Sequence, residues 1–223
     1  MIEYLTGLFT PAILIYLLKG FLITLKVAAI AVVLSILFGT ILGLLRSYAP
    51  KVLRKLAGAY IEWFRNTPNL LWVMVCYIAA PLPSDWSRCA MAYVLFTSAM
   101  MAEIVRGGLN AIPKGQFEAA YSQGFTFVGT LWHIILPQCF KRIVPTMLSQ
   151  VITVVKDTSF MAQVAVAELL FRTKNLMSIF YKVVGRQITA PDVFLLFGFA
   201  MLLYFAVNFT LSCIVRYLQK RGR

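Results

Sequence analysis

Charge-free, largely apolar runs cover residues 27–45, 66–84 and 193–215, each close to the roughly 20 helical residues needed to cross a hydrocarbon core of about 30 Å. They predict three membrane-crossing helices. Two further runs are broken by ions. Residues 89–102 run into Glu103 and Arg106, and residues 143–155 run into Lys156 and Asp157 before 158–167 resumes. The pattern therefore predicts about five transmembrane helices. An ion inside a membrane helix costs at least about 2.5–3.5 kcal/mol. Glu103, Arg106, Lys156 and Asp157 are thus expected to face protein or a watery cavity, unless Glu103 and Arg106 simply reach the interface from a helix end.

Composition supports this. Of 223 residues, 61% are apolar and 13% charged, against roughly 45–50% and 25% in globular chains, which leaves too little polar surface for a water-facing fold. The expected fold class is all-α, a polytopic membrane protein forming one domain over residues 1–223. No internal repeat or linker divides it. Glu3 before the first apolar stretch and Lys19 within it do not resemble a secretory leader, so the whole chain is expected to persist in the mature protein.

A formal net charge of +13 often signals nucleic acid, but no polybasic, aromatic-interleaved segment is present, and membrane proteins collect cations in cytoplasmic loops for topological reasons. With the N-terminus outside, the inner segments hold thirteen Lys and Arg, from Arg46 to Arg65, at Arg106, Lys114, Lys141 and Arg142, and from Arg216 to Arg223. Five lie outside, at Arg88, Arg172, Lys174, Lys182 and Arg186. This imbalance predicts an N-out, C-in chain.

Cys76, Cys89, Cys139 and Cys213 are scattered and His133 is the only histidine, which suits neither a metal site nor a disulfide framework. Gly39 and Gly43 stand at the GxxxG spacing that lets two helices approach closely, with intrachain packing favoured over dimerisation. Residues 168–191 mix cations with Leu169, Leu170, Phe171 and Phe180. That segment suits an amphipathic outer helix lying at the membrane surface, either contacting a partner or resting on the bilayer.

Between the third and fourth spans, the polar segment 111–136 far exceeds the 2–8 residues that usually join packed helices. Pro113 and Gly115 punctuate its entry, residues 116–123 favour a helix, Gly124 suits the left-handed position that ends one, and Pro137 marks a further break.

Within it, Glu118-Ala119-Ala120, then Gly124, Ile134 and Leu136-Pro137 resemble the EAA signature of ABC-importer permeases at every defining position. The flanking sequence is similar to the polar amino acid subgroup: Thr24-Leu25-Lys26, Phe64-Arg65-Asn66-Thr67-Pro68, the run from Ala102 to Gly108, and Lys156-Asp157-Thr158-Ser159. Asn66 replaces the glycine usual in that pattern, and the outer loop between the second and third spans is short.

The resemblance implies a type I ABC importer transmembrane domain in a bacterial cytoplasmic membrane, with residues 111–137 forming a cytoplasmic coupling-helix loop. Gly115, Glu118, Ala119, Ala120, Gly124, Ile134, Leu136 and Pro137 would meet the ATPase. Glu118 would be the polar anchor. The implied partners are a cytoplasmic ABC ATPase dimer, a second permease subunit of the same or similar kind, an extracytoplasmic amino acid-binding protein and the substrate. The chain has no GxxxxGK[ST] loop, so ATP and Mg would be bound by the partner subunit, and this subunit would not itself be an enzyme.

Thr146, Gln150, Thr153 and Asp157 fall on one helical face, either lining the substrate route or sealing one subunit to another. A zwitterionic substrate needs a cation for its carboxylate and an anion for its ammonium. Arg106 or Lys156 would supply the first, and Asp157 or Glu103 the second. Ser159 follows on the same segment. Glu103 and Arg106, at i and i+3, can equally neutralise each other. Glutamine or another polar amino acid is the expected cargo. The competing readings are an ATP-independent carrier and, lacking any credible catalytic constellation, a lipid-acting membrane enzyme.

Overall fold

The computed structural model describes residues 8–221. Glu3 and Arg223, used in the leader and orientation arguments, lie outside the described residues, as does the side chain of Arg221. The described residues are predominantly helical, with no strand among them.

Helix α1 (Pro11–Tyr48) has 38 residues, so at 1.5 Å per residue it runs about 57 Å and starts well before the window 27–45. Thr10 Oγ1 accepts from Ile13 N at 3.4 Å, and Pro11 sits in the first turn, where a missing N–H costs nothing. Helix α4 (Asp85–Asn110) lies along α1 and runs in the same direction. Ser35 Oγ donates to Val94 O at 3.2 Å. A Cβ on Gly39 would stand 2.5 Å from Met101 Cβ, and one on Gly43 would stand 2.8 Å from Ala102 O. The GxxxG spacing thus serves an intrachain seam in which the two backbones nearly touch.

The window 66–84 does not form one straight span. Helix α2 (Lys51–Arg65) precedes it, and helix α3 (Asn69–Ala79) has 11 residues, about 16 Å. Pro68 lacks an N–H and disfavours helical geometry in the residue before it, so the chain bends there. Thr67 stitches the bend. Its hydroxyl donates to Trp63 O at 2.9 Å and accepts from Trp72 Nε1 at 2.7 Å. Asn66 has φ −100 and its Nδ2 donates to Glu62 O at 2.8 Å. The residue standing in place of glycine occupies backbone space open to any residue.

The long segment after α4 is mostly helical. Helix α5 (Gly115–Ser122) and helix α6 (Phe127–Thr130) lead through a π-turn, Leu131–Ile135, into helix α7 (Leu136–Asp157). The break expected at Pro137 is absent. Its ring would crowd the carbonyl one turn back in a regular helix, and the wider π-turn just before it relieves that crowding while the helix continues. A 3-10 helix, Thr158–Val164, follows, then α8 (Leu169–Ser178), α9 (Phe180–Val184) and α10 (Ala190–Arg221).

By length and composition α1, α4 and α10 can cross a membrane. Helix α7 has the length, 22 residues, but carries Lys141 and Arg142 near one end and Lys156 and Asp157 at the other. Residues 168–191 are amphipathic as expected, but they do not simply lie on a bilayer surface. Leu169, Leu176 and Phe180 are buried in one cluster with Ile13 and Leu17 of α1 and Leu196 and Ala200 of α10. Their apolar face is covered by protein. A second cluster joins α1, α3, α4 and the end of α7, and a third joins α4 to the π-turn and α7.

Candidate coupling segment and transport face

Helix α5 ends in a Schellman motif that satisfies its last carbonyls. Gly124 N donates to Tyr121 O at 2.9 Å and Phe125 N to Ala120 O at 3.1 Å, with Gly124 at φ +81, a conformation that costs other residues steric strain. Thr126 then caps α6 by accepting from Gly129 N at 3.2 Å. The glycine and the threonine two residues on therefore turn the chain sharply from one helix into the next.

The segment is fastened at several points. Arg142 Nη1 donates to Ala111 O at 2.7 Å, and Gln138 Nε2 donates to Gln116 Oε1 at 2.9 Å. The ring of Tyr48, at the end of α1, packs against Phe117 and Phe127 with centroids 6.1 and 5.5 Å apart. Ala120 and Leu136 are buried and Ile134 is half-buried, whereas Gly115, Glu118, Ala119, Gly124 and Pro137 are exposed. The motif residues thus divide into an inward set that holds the helix to the body and an outward set that presents Glu118 and Ala119. Among the described residues Glu118 forms no ion pair. Tyr121, Phe125, Val128 and Trp132 are exposed in the same stretch of chain. A free carboxylate among exposed apolar groups suits a protein cleft.

The residues singled out for the transport route separate into two places. Glu103 accepts from Arg106 Nε at 2.9 Å and Nη2 at 2.7 Å, and Arg65 Nη1 lies 3.6 Å from it, so Glu103 and Arg106 neutralise each other. Asp157 instead accepts from Asn69 Nδ2 at 2.9 Å, while Tyr93 OH donates to Asp157 O at 2.7 Å. Tyr93 and Glu103 are ten residues apart on α4, about 15 Å along its axis. One zwitterion site using both pairs is not formed within this chain.

Of the polar stripe, Thr146 is exposed and Gln150, Thr153 and Asp157 are partly so. Thr153 Oγ1 donates back to Ser149 O at 3.3 Å. Lys156 is exposed and without an ion pair among the described residues, and Ser159 is half-buried in the 3-10 helix.

Sequence reasoning missed Glu168. It is fully buried, accepts from Leu170 N at 2.9 Å and Phe171 N at 2.7 Å as the cap of α8, and accepts from Thr24 Oγ1 and Tyr204 OH at 3.2 and 3.1 Å. The available signal was an acid placed directly after the apolar run 158–167, where an ionisable group is expensive by default. Asn69 was also missed. It is nearly buried, with Oδ1 unpartnered. The four cysteines are unbridged, and no cluster of metal-ligating side chains occurs among the described residues.

Residues 31–223 match the family described as binding-protein-dependent transport system inner membrane component. A probable glutamine ABC transporter permease protein of Bacillus subtilis, GlnP, is 38% identical over 219 residues, covering 96% of this chain and 97% of that one. The glutamate/aspartate import permease protein GltK of Escherichia coli O6:H1 is 34% identical over 220 residues, covering 92% and 93%. A crystal structure of an amino acid ABC transporter with histidines superposes with a TM-score of 0.77 at 26% identity, covering 92% of this chain and 94% of that one. The MetNI methionine ABC transporter in an inward-facing conformation shares the fold at a TM-score of 0.73 and 17% identity, over 94% and 99%.

Proposed function

Since the chain belongs to the binding-protein-dependent transport system inner membrane components, we propose that it is the permease subunit of an ABC importer that carries a polar L-amino acid, glutamine foremost, into the cell. The observation that carries this reading is the coupling segment, a short helix fastened to the body on one side and presenting Glu118 and Ala119 on the other. The substrate class is supported by relatives named as glutamine and glutamate/aspartate permeases.

In this reading α5 enters a cleft on a cytoplasmic ATPase dimer, which holds ATP and Mg, and this subunit catalyses no reaction of its own. Closure of the ATPases moves a rigid element, because the tethers from α7 and Tyr48 pass the displacement of α5 to α7 and α1. The segment lies on the cytoplasmic side, which sets the N-terminus outside and the C-terminus inside and agrees with the cation distribution. A second permease faces the polar stripe of α7, an extracytoplasmic binding protein delivers the amino acid, and Gln150, Thr153, Lys156, Asp157 and Ser159 line the route. Because Glu103 and Arg106 neutralise each other within α4, and Glu103 also meets Arg65 of α2, neither is assigned to substrate in this reading.

The test is co-purification of tagged chain in mild detergent followed by an ATPase assay, with labelled glutamine uptake in proteoliposomes. An ATPase retained by wild type, weakened by Glu118→Lys, and uptake that requires ATP is the expected result. A chain that arrives alone and transports without ATP would replace this reading with an ATP-independent carrier.

A further inference from the structure

Helix α2 is the most charged helix near the end of the molecule that carries the coupling segment, and its surface is not accounted for by coupling or by the transport route. It packs against the end of α1 and the middle of α4. Arg46 Nη2 of α1 is 3.3 Å from Glu62 Oε1, Tyr60 OH donates to Leu95 O at 2.8 Å, and Arg65 Nη1 is 3.6 Å from Glu103 Oε2.

At about 100° per residue its positions sort into three faces. Ala57, Ile61 and Phe64 point inward and are buried. Val52, Leu56 and Trp63 share a second face and are 69, 62 and 63% exposed. Lys51, Arg54, Lys55, Glu62 and Arg65 share the third. The only acid on the helix, Glu62, is engaged by Arg46 and by Asn66 Nδ2 at 3.3 Å, and Arg65 is drawn to Glu103. Among the described residues Lys51, Arg54 and Lys55 form no ion pair. Three uncompensated cations therefore border an apolar face that holds a tryptophan. An apolar face beside Lys and Arg is the pattern of a helix lying in a bilayer interface with its cations toward anionic headgroups, and tryptophan concentrates at that depth.

We infer that α2 is an interfacial anchor that binds anionic phospholipid, with Val52, Leu56 and Trp63 among the acyl chains and Lys51, Arg54 and Lys55 on the phosphates. The inference depends on the membrane setting and not on the transported substrate or on ATPase coupling. Its test leaves both of those aside.

The full chain is reconstituted in phosphatidylcholine bilayers containing either brominated phosphatidylglycerol or brominated phosphatidylcholine, and tryptophan quenching is measured. The Trp63 component is isolated as the difference from Trp63→Phe. Quenching of that component is expected at a several-fold lower mole fraction of the anionic lipid. Replacing Lys51, Arg54 and Lys55 together by Gln should reduce the preference by at least about fivefold, the factor expected for one cation near an anionic surface. High salt should weaken it in wild type without any substitution. That arm stands even if the triple variant fails to insert. Equal quenching by the two lipids, or a preference indifferent to salt, would overturn headgroup binding. A Trp63 that neither lipid quenches would overturn it in favour of a protein surface covering α2.

Discussion

Tyr204 on α10 donates its hydroxyl to Glu168 Oε2 at 3.1 Å, and the same oxygen accepts from Thr24 on α1 at 3.2 Å. One buried carboxylate thereby ties the first and last long helices to the cap of α8. Replacing Glu168 by Ala strands two hydroxyls and two backbone N–H groups, each unsatisfied buried group costing about 1–3 kcal/mol. Glu168→Ala should lower the thermal midpoint in detergent well below that of Glu168→Gln, which keeps one acceptor and the side-chain volume. Equal midpoints for the two variants would show that the acceptors do not matter.

The seam between α1 and α4 predicts a contrast between two glycines. A Cβ on Gly39 meets Met101 Cβ at 2.5 Å and Ser98 O at 2.9 Å, whereas one on Gly107 meets nothing within 4 Å. Gly39→Ala should destabilise by about 1–3 kcal/mol through overpacking. Gly107→Ala should leave stability unchanged or raise it by up to about 1 kcal/mol through helix propensity. Midpoints by scanning fluorimetry of the purified chain check both.

The split of the motif residues into outward and inward sets predicts two phenotypes in one tripeptide. Glu118→Lys alters an exposed side chain, so circular dichroism and midpoint should match wild type while ATPase co-purification falls by about tenfold or more, as for a central interface residue. Ala120→Leu forces three extra carbons into a 3% exposed site, and should lower the midpoint as well as the ATPase yield. An Ala120→Leu chain with wild-type stability would contradict the inward placement.

At Gly124 the φ of +81 makes Gly124→Ala cost about 1–2 kcal/mol of local strain. The loss should concentrate at the end of α5. Hydrogen exchange at Gly124 and Phe125, whose amides close the motif, should rise while that of α4 stays unchanged.

Helix content and the short helix that ends at Gly124 were legible because each rests on local chemistry. Long charge-free runs have few alternatives to a membrane helix, and Gly124 is the residue a left-handed turn selects. The bend at Pro68 was written in the sequence too, but a hydropathy window averages across it. The π-turn left no sign, since residues 131–135 are ordinary helix formers and the device exists only in relation to Pro137. Glu168 was misplaced for a different reason. Its cations and leucines read as a surface segment, and only the distant Thr24 and Tyr204 make a buried acid tolerable there.

The π-turn at Leu131–Ile135 also sets the rotational phase of α7. A π-turn holds one more residue than the α-helical turn it replaces, and one residue in an α-helix corresponds to about 100° of rotation. With α5 and α6 clamped in place, winding these same five residues as regular α-helix would turn every later side chain by nearly that angle. Thr146 and Gln150 would swing off the open face, and Met147, now buried, would swing out. The azimuth of the polar stripe is therefore fixed at the join with the coupling segment, several turns away from the stripe itself.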